Sequence, residues 1–259
     1  MDDKKKTRIA LISDIHGNLE ALNAVLAKAQ ELEVTHYVCI GDIVGYNANP
    51  KECLDIVRSL KPVACIMGNH DEYVATNHDL LGFNFQAAKA VEWTRKQLTA
   101  DDKKWLASLP YKRMVKIPGE DMEPFVIVHG TLDNPQMWGY IFTRLQAVAS
   151  MENQMPFKIC FCGHTHVPLF FMQDDGDTNG YYYPDDGPVE ILPNIKYTFN
   201  IGSIGQPRDN DPRAAFTVYT PKDNTVQLYR LEYDIATTQA KIIEAGLPSK
   251  LAERLAEGK

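Results

Sequence analysis

The chain has 259 residues, 44 % hydrophobic and 24 % charged, a length and balance that support a real core in an ordinary globular protein. It carries 27 Lys and Arg against 34 Asp and Glu, a formal charge of -7. That balance argues against a long nucleic acid or an anionic membrane as partner, since both demand basic surface.

Residues 8–13 predict a buried strand. Residues 18–32 follow as a helix, with Leu19, Leu22, Leu26 and Ala29 at helical spacing and Asn18 as N-cap. Residues 37–40 predict a second strand. Asn49 and Pro50 open a second helix, the Asn as cap and the Pro in the first turn, with Leu54, Val57 and Leu60 on its apolar face. Residues 63–67 predict a third strand. Apolar strands alternating with helices argue for an α/β sheet covered on both faces.

Residues 72–124 break the rhythm and read as a helical insertion. Ala87, Ala88, Val91 and Leu98 carry helical spacing, and Thr99 and Asp102 form a capping box ahead of Trp105 and Leu106. Residues 125–128 and 158–162 predict two more strands. Runs at 169–172, 189–192, 197–201, 215–219 and 225–231 then suggest a second, mostly antiparallel sheet. Residues 174–186 read as an exposed hairpin or loop. The expected domain covers 7–234, and 235–259 read as a C-terminal helical extension with Gly258 as a stop.

No run approaches ~18 apolar residues, and the apolar run 9–12 is too short for a signal peptide. The five cysteines, Cys39, Cys53, Cys65, Cys160 and Cys162, are odd in number and mostly isolated in apolar runs. They read as reduced thiols packed in a core, and the expected location is cytoplasmic.

The informative residues follow the five early strands. They are Asp14-Ile15-His16-Gly17-Asn18, Gly41-Asp42-Ile43-Val44-Gly45, Gly68-Asn69-His70-Asp71, His129-Gly130 and Gly163-His164-Thr165-His166. Ligands of open α/β sheets bind beyond the carboxyl ends of the strands, and parallel neighbours would bring these side chains to one edge. Two carboxylates, one amide and four imidazoles are oxygen and nitrogen donors with no thiolate among them, which excludes a Zn–Cys site or an iron–sulfur cluster. Seven donors are too many for one ion and suit two ions sharing a carboxylate, with an activated water between them as nucleophile on phosphorus.

The ordered series D-x-H, G-D-x-x-G, G-N-H-D, H-G and G-H-T-H resembles the calcineurin-like metallophosphoesterase superfamily. The run Phe199-Asn200-Ile201-Gly202-Ser203-Ile204-Gly205-Gln206-Pro207-Arg208 is similar to a segment of its bacterial branch of small phosphodiesterases and diadenosine tetraphosphatases. The resemblance implies two packed mixed β-sheets flanked by helices, an α/β/β/α sandwich with a helical insertion. It implies that Asp14, His16 and His166 bind one metal, that Asn69, His129 and His164 bind the other, and that Asp42 bridges them. The ions would be divalent transition metals, with Mn, Fe, Zn, Co and Ni all acceptable to such donors. His70 would face the scissile phosphate, protonating the leaving oxygen or stabilising the transition state.

The implied substrate is a small phosphorylated or nucleotide compound, with a phosphodiester as first expectation. A dinucleoside polyphosphate, a phosphomonoester and a non-catalytic metal-binding scaffold are the alternatives. Where the protein-phosphatase branch has Asp-Arg, this chain has Gly45 and Tyr46, so the orienting partner of His70 is open; Asp71 is adjacent but could instead cap the helix that follows. Arg208 and Arg213 are candidates for phosphate contact. Backbone N–H groups around Gly202 and Gly205 could also face an anion, or the glycines could simply shape a turn. Trp138 and Tyr140 could line a pocket or pack under the insertion. His36, His78 and the stripe Tyr181-Tyr182-Tyr183 read as surface features.

Overall fold

Strand β1 (Ile9–Ile12) is buried at every residue because both of its faces are covered. Ile9 and Leu11 point into the space between two sheets, while Ala10 and Ile12 pack against helices. In this computed structural model, which describes residues 6–76 and 78–259, the chain continues as α1 (Leu19–Glu31), β2 (His36–Cys39), α2 (Pro50–Leu60) and the two-residue β3 (Ala64–Cys65). Asn18 caps α1, accepting from the Ala21 N–H at 3.1 Å, and Pro50 is the first residue of α2. Asn49 makes no side-chain cap bond to the helix; its amide donates to Glu52 Oε1 at 3.0 Å.

After β3 the chain leaves this sheet through α3 (Asn69–Ala75), α4 (Phe85–Gln97) and α5 (Ala100–Ala107). The capping box of Thr99 and Asp102 starts α5. The helical reading of 72–124 fails at its end, where Lys112–Val115 forms strand β4. Three of its four residues are exposed, so it has none of the apolar alternation that marks a strand in sequence. It pairs antiparallel with β5 (Phe125–Val128) and opens a second sheet. Helix α6 (Arg144–Glu152) leads to β6 (Ile159–Cys162), parallel to β5.

The remaining strands are β7 (Leu169–Asp174), β8 (Asp177–Tyr181), β9 (Val189–Glu190), β10 (Lys196–Asn200), β11 (Ala214–Thr220) and β12 (Thr225–Leu231). They do not make a sheet of their own. The first sheet runs β3-β2-β1-β11-β12-β9 and the second β4-β5-β6-β10-β7-β8, so each is a mixed six-stranded sheet. The open edge of β1 takes β11 antiparallel, and the open edge of β6 takes β10 parallel. The five strands expected along one parallel edge are thus divided three and two, and both sheets deliver their ends to one place.

Between the sheets lies a buried aromatic layer. Phe161 is fully buried, with ring centroids of Phe125, Phe199 and Tyr219 at 5.3, 5.4 and 5.8 Å. All five cysteines are free and buried. The C-terminal helices α7 (Ile235–Glu244) and α8 (Ser249–Glu253), with a final 3-10 turn capped by Gly258 in the left-handed region, pack Leu247, Leu251 and Leu255 against Tyr46 and Ala90. Phe161→Ala removes the ring at the centre of the aromatic layer and is expected to cost about 3–5 kcal/mol, read as a lowered urea midpoint at unchanged slope.

Candidate metal centre

Each candidate ligand sits in the first few residues after a strand. Asp14 and His16 follow β1, Asp42 follows β2, Asn69 and His70 begin α3, His129 follows β5, and His164 and His166 follow β6. Asp14, His16, Asp42, His164 and His166 all have left-handed backbones, with φ of 51, 49, 52, 68 and 62°. Such conformations are unfavourable for residues with a Cβ and persist where the surroundings over-determine them.

The over-determination is visible around Asp14. Its N–H donates to the Gly41 carbonyl at 3.0 Å, and its own carbonyl accepts from Ser203 Oγ at 2.8 Å and the Gly205 N–H at 2.9 Å. The Ile204 N–H donates to the Ser13 carbonyl at 3.1 Å. The segment around Gly202 and Gly205 therefore spends these N–H groups on protein carbonyls, not on an anion. A Cβ on Gly205 would lie 1.9 Å from the Ile15 carbonyl oxygen, so this approach requires glycine. Ser203 and Gly205 thus support the site from outside it, a role the motif run marked without defining.

The side chains converge. One ligand atom each of Asp14, His16, Asp42 and His166 lies within 4.8 Å of the others, and so does one each of Asp42, His129 and His164. Asp42 belongs to both groups. Asp14 Oδ2 and Asp42 Oδ1 are already engaged, by Ser13 Oγ at 2.6 Å and the His70 N–H at 2.8 Å. Asp14 Oδ1 and Asp42 Oδ2 are left facing the imidazoles: His166 Nε2 stands 3.1 Å from the former, His16 Nε2 and His129 Nε2 stand 3.5 and 3.4 Å from the latter.

The imidazoles are oriented by backbone. His16, His129 and His166 each direct Nδ1 to a carbonyl, of Val44 at 3.1 Å, Ile40 at 2.7 Å and Gln206 at 2.6 Å. A carbonyl only accepts, so these Nδ1 atoms carry the proton and Nε2 faces inward. His164 is reversed, with Nε2 on the Trp138 carbonyl at 2.9 Å.

Burial pulls His16 and His166 below the usual imidazole range and His164 down to about 3, which leaves their inward nitrogens free of protons. His129 is the exception: burial opposes its charge, but the Asp42 and Asp14 carboxylates outweigh burial and raise it to about 10. Both carboxylates lie below their ordinary range; burial opposes this, and the surrounding histidines outweigh it. Asp14 Oδ1, Asn69 Oδ1 and His129 Nε2 are buried without a well-aligned hydrogen bond. Buried atoms of metal-ligating types without partners, two of them on Asp14 and His129 of the converging clusters, fit a divalent cation.

His70 lies beside this cluster, 3 % exposed, with its Nδ1 unpartnered. Burial pulls it down to about 4. Asp71 does not orient it. The Asp71 carboxylate instead accepts from the N–H groups of Ile43, Val44 and Gly68 at 2.9, 3.2 and 3.1 Å, clipping two ligand loops together. Burial, with the Asp42 charge, pushes Asp71 up to about 7. The His70 ring is held by other rings: Tyr46 at 4.4 Å, His16 at 4.8 Å and Phe83 at 5.3 Å between centroids. A Cβ on Gly45, whose φ is +96°, would meet His70 Nδ1 at 2.5 Å. Gly45 therefore makes room for this histidine.

Arg208 stands behind Tyr46. Its Nη2 donates to the Tyr46 hydroxyl at 3.1 Å and to Gln206 Oε1 at 2.9 Å, and its Nε is unpartnered. Arg213 is not brought to the site; it is paired with Asp211 on the surface. Trp138 and Tyr140 are brought to it. Tyr140 stacks on His164 at 4.1 Å, and the Trp138 indole donates to Glu72 at 3.1 Å. His36 opens β2 half-buried, and His78 is exposed. Of the tyrosine stripe, Tyr182 is exposed while Tyr183 turns inward beside Phe170.

Residues 7–224 match the family model of the calcineurin-like phosphoesterase superfamily domain. The chain belongs to that superfamily. As a calcineurin-like phosphoesterase it is a phosphoric ester hydrolase, and its fold and donor set agree with metal dependence. It is 37 % identical over 254 residues to an uncharacterized protein of Methanocaldococcus jannaschii, covering 98 % of this chain and 99 % of that one. A metallophosphoesterase from Sphaerobacter thermophilus has the same architecture, with a TM-score of 0.85, 38 % identity, and coverage of 98 and 100 %. A hypothetical protein from Pyrococcus horikoshii shares the fold at 21 % identity, with a TM-score of 0.79 and coverage of 98 and 99 %. Among the described residues no helix of this phosphoesterase is long and apolar enough to cross a membrane.

Because Asp42 is common to both donor groups, Asp42→Asn is expected to weaken binding of divalent ions at least tenfold. Metal analysis of the purified variant, with circular dichroism to show an intact fold, checks this.

Proposed function

We propose that this phosphoesterase hydrolyses a small phosphodiester at a pair of divalent transition-metal ions. Asp14, His16 and His166 hold one ion, Asn69, His129 and His164 hold the other, and Asp42 is shared. The observation that carries the reading is the membership of Asp42 in both clusters of ligand atoms. The buried and unpartnered Asn69 Oδ1 supports the second set. Such ions, when bound, supply an acidified water as nucleophile and share the charge of an in-line transition state.

The chain's own residues do the rest. His70, next to Asn69 and packed under Tyr46, faces the ester and donates a hydrogen bond to the departing oxygen. Arg208, anchored through Tyr46 and Gln206, contributes a cation to the phosphate oxygens. Mn, Fe, Zn, Co and Ni all suit the donors. We assign the catalytic domain to 7–234, with the helical segment 72–107 as an insertion supplying Phe83 against His70, and 235–259 as an extension packed on Tyr46.

The test is turnover of bis(p-nitrophenyl) phosphate by manganese-loaded and chelator-stripped protein. Full turnover by the stripped protein overturns the reading. His70→Ala is expected to keep both ions and lose about 100-fold or more in kcat. Gly45→Ala, which drives a Cβ into His70, should likewise keep metal while lowering kcat.

A further inference from the structure

One cavity of this molecule opens on the proposed centre, and its chemistry is one-sided. A cleft of about 250 Å³ has Asn69, His70 and His164 among its walls. The rest of its lining is dominated by Tyr46, Tyr73, Leu81, Phe83, Trp138 and Tyr140. No Lys, Arg, Asp or Glu lines it. The two aromatic sides come from separate parts of the chain. Tyr73 and Phe83, 4.7 Å apart between centroids, belong to α3 and the loop before α4, and Phe83 also meets His70 edge-on. Trp138 and Tyr140 follow β5, and Tyr140 lies flat on His164. Leu81 at the mouth is 85 % exposed, a large apolar side chain with nothing over it.

We propose that this cleft receives the ester group of the substrate that lies beside His70, and that this group is an uncharged flat ring rather than further phosphate. The inference rests on the phosphodiesterase reading above. Two physical points carry it. A chain of additional phosphates needs charge-assisted donors for each added charge, and this cleft offers none. A flat apolar ring instead gains from leaving water for aromatic walls and from edge and face contacts with them. The space suffices, since an apolar cavity of about 150 Å³ already accepts benzene. The occupant is fixed by continuity: the cleft floor is the histidine and amide side of the proposed centre, so the apolar group and the phosphate belong to one molecule. An aryl group and a nucleobase share this chemistry.

The experiment measures binding to the manganese-loaded protein by calorimetry, so it does not depend on turnover. Diphenyl phosphate and dimethyl phosphate carry the same single charge and differ in the rings. Diphenyl phosphate is expected to bind about tenfold or more tightly. Phe83→Ala is expected to erase most of that ratio, and Leu81→Ala, at an exposed position where folding is not in question, to reduce it by a smaller factor. Thymidylyl-thymidine binding as tightly as diphenyl phosphate would assign the ring to a nucleobase, and markedly weaker binding would assign it to a simple aryl group. Equal affinity for the dimethyl and diphenyl esters, or a ratio untouched by both substitutions, overturns the inference. In that case, continued turnover of bis(p-nitrophenyl) phosphate by the loaded protein leaves the phosphodiesterase reading standing, whereas absence of turnover removes that reading separately.

Discussion

Two carboxylates with almost no exposure, Asp14 and Asp42, set the terms for the rest of this molecule. Burying a charge is costly unless it is paired and hydrogen-bonded. Here the inner oxygens have only imidazoles opposite them, at 3.1 to 3.5 Å in the closest contacts. The only strongly raised imidazole among the described residues is His129, which the same two carboxylates hold at about 10. One protonated ring cannot balance two anions. The uncompensated charge suits a divalent cation, and the surrounding loops are arranged around it. A cation bound at the His129 Nε2 would displace its proton, which would tie metal affinity to pH.

The loops show what that arrangement involves. Five of the candidate ligand residues are left-handed, each with an unfavourable local term of about 1–3 kcal/mol. A strand that simply continued would carry its side chains to alternate faces of the sheet. The left-handed turn directly after the strand sends the side chain back over the sheet end instead. Such turns survive because neighbouring loops hold them in both directions. Asp71 binds three N–H groups of two ligand loops, and Ser203 and Gly205 hold the carbonyl of Asp14. The segment 202–206 therefore belongs to the site without touching its contents.

Much of this was legible in the sequence. The five strand-end motifs named every residue that the two ligand clusters contain, because Asp and His beside Gly have few other reasons to recur after apolar strands. The caps at Asn18 and Thr99 were legible for a similar reason, since short polar side chains ahead of an apolar-periodic run have a defined mechanism. The sheet assignment was not. Strands β1 and β6 are apolar on both faces, and such a strand carries no mark of which neighbour it will take. Strand β4 escaped because its residues are mostly exposed. Asp71 was legible in part. Its place ahead of a helix suggested a cap, and its carboxylate does accept from the Gly68 N–H at the start of α3, whereas its bonds to the Ile43 and Val44 N–H groups carry no mark in the sequence.

No carboxylate stands behind His70 among its described contacts, and packing takes the place of a hydrogen bond. A carboxylate-held histidine is fixed by one strong, directional bond. Here Gly45 removes the bulk, and Tyr46, His16 and Phe83 hold the ring by packing. Packing constraints extend outward in a way that a single hydrogen bond does not. Tyr46 is itself held by Leu251 and Leu255 of the C-terminal helices, which lie beyond the 7–224 span of the family domain, and Phe83 belongs to the loop that enters α4. The orientation of His70 is therefore a property of the helices at 72–107 and 235–257 as much as of the strand-end motifs. Tyr46 and Phe83, though not His16, also wall the cleft, so two of the rings that hold His70 are rings that the proposed ester group would meet. A substitution in either helical segment should then alter catalysis and selectivity together, whereas a substitution in the donor set alters metal content first.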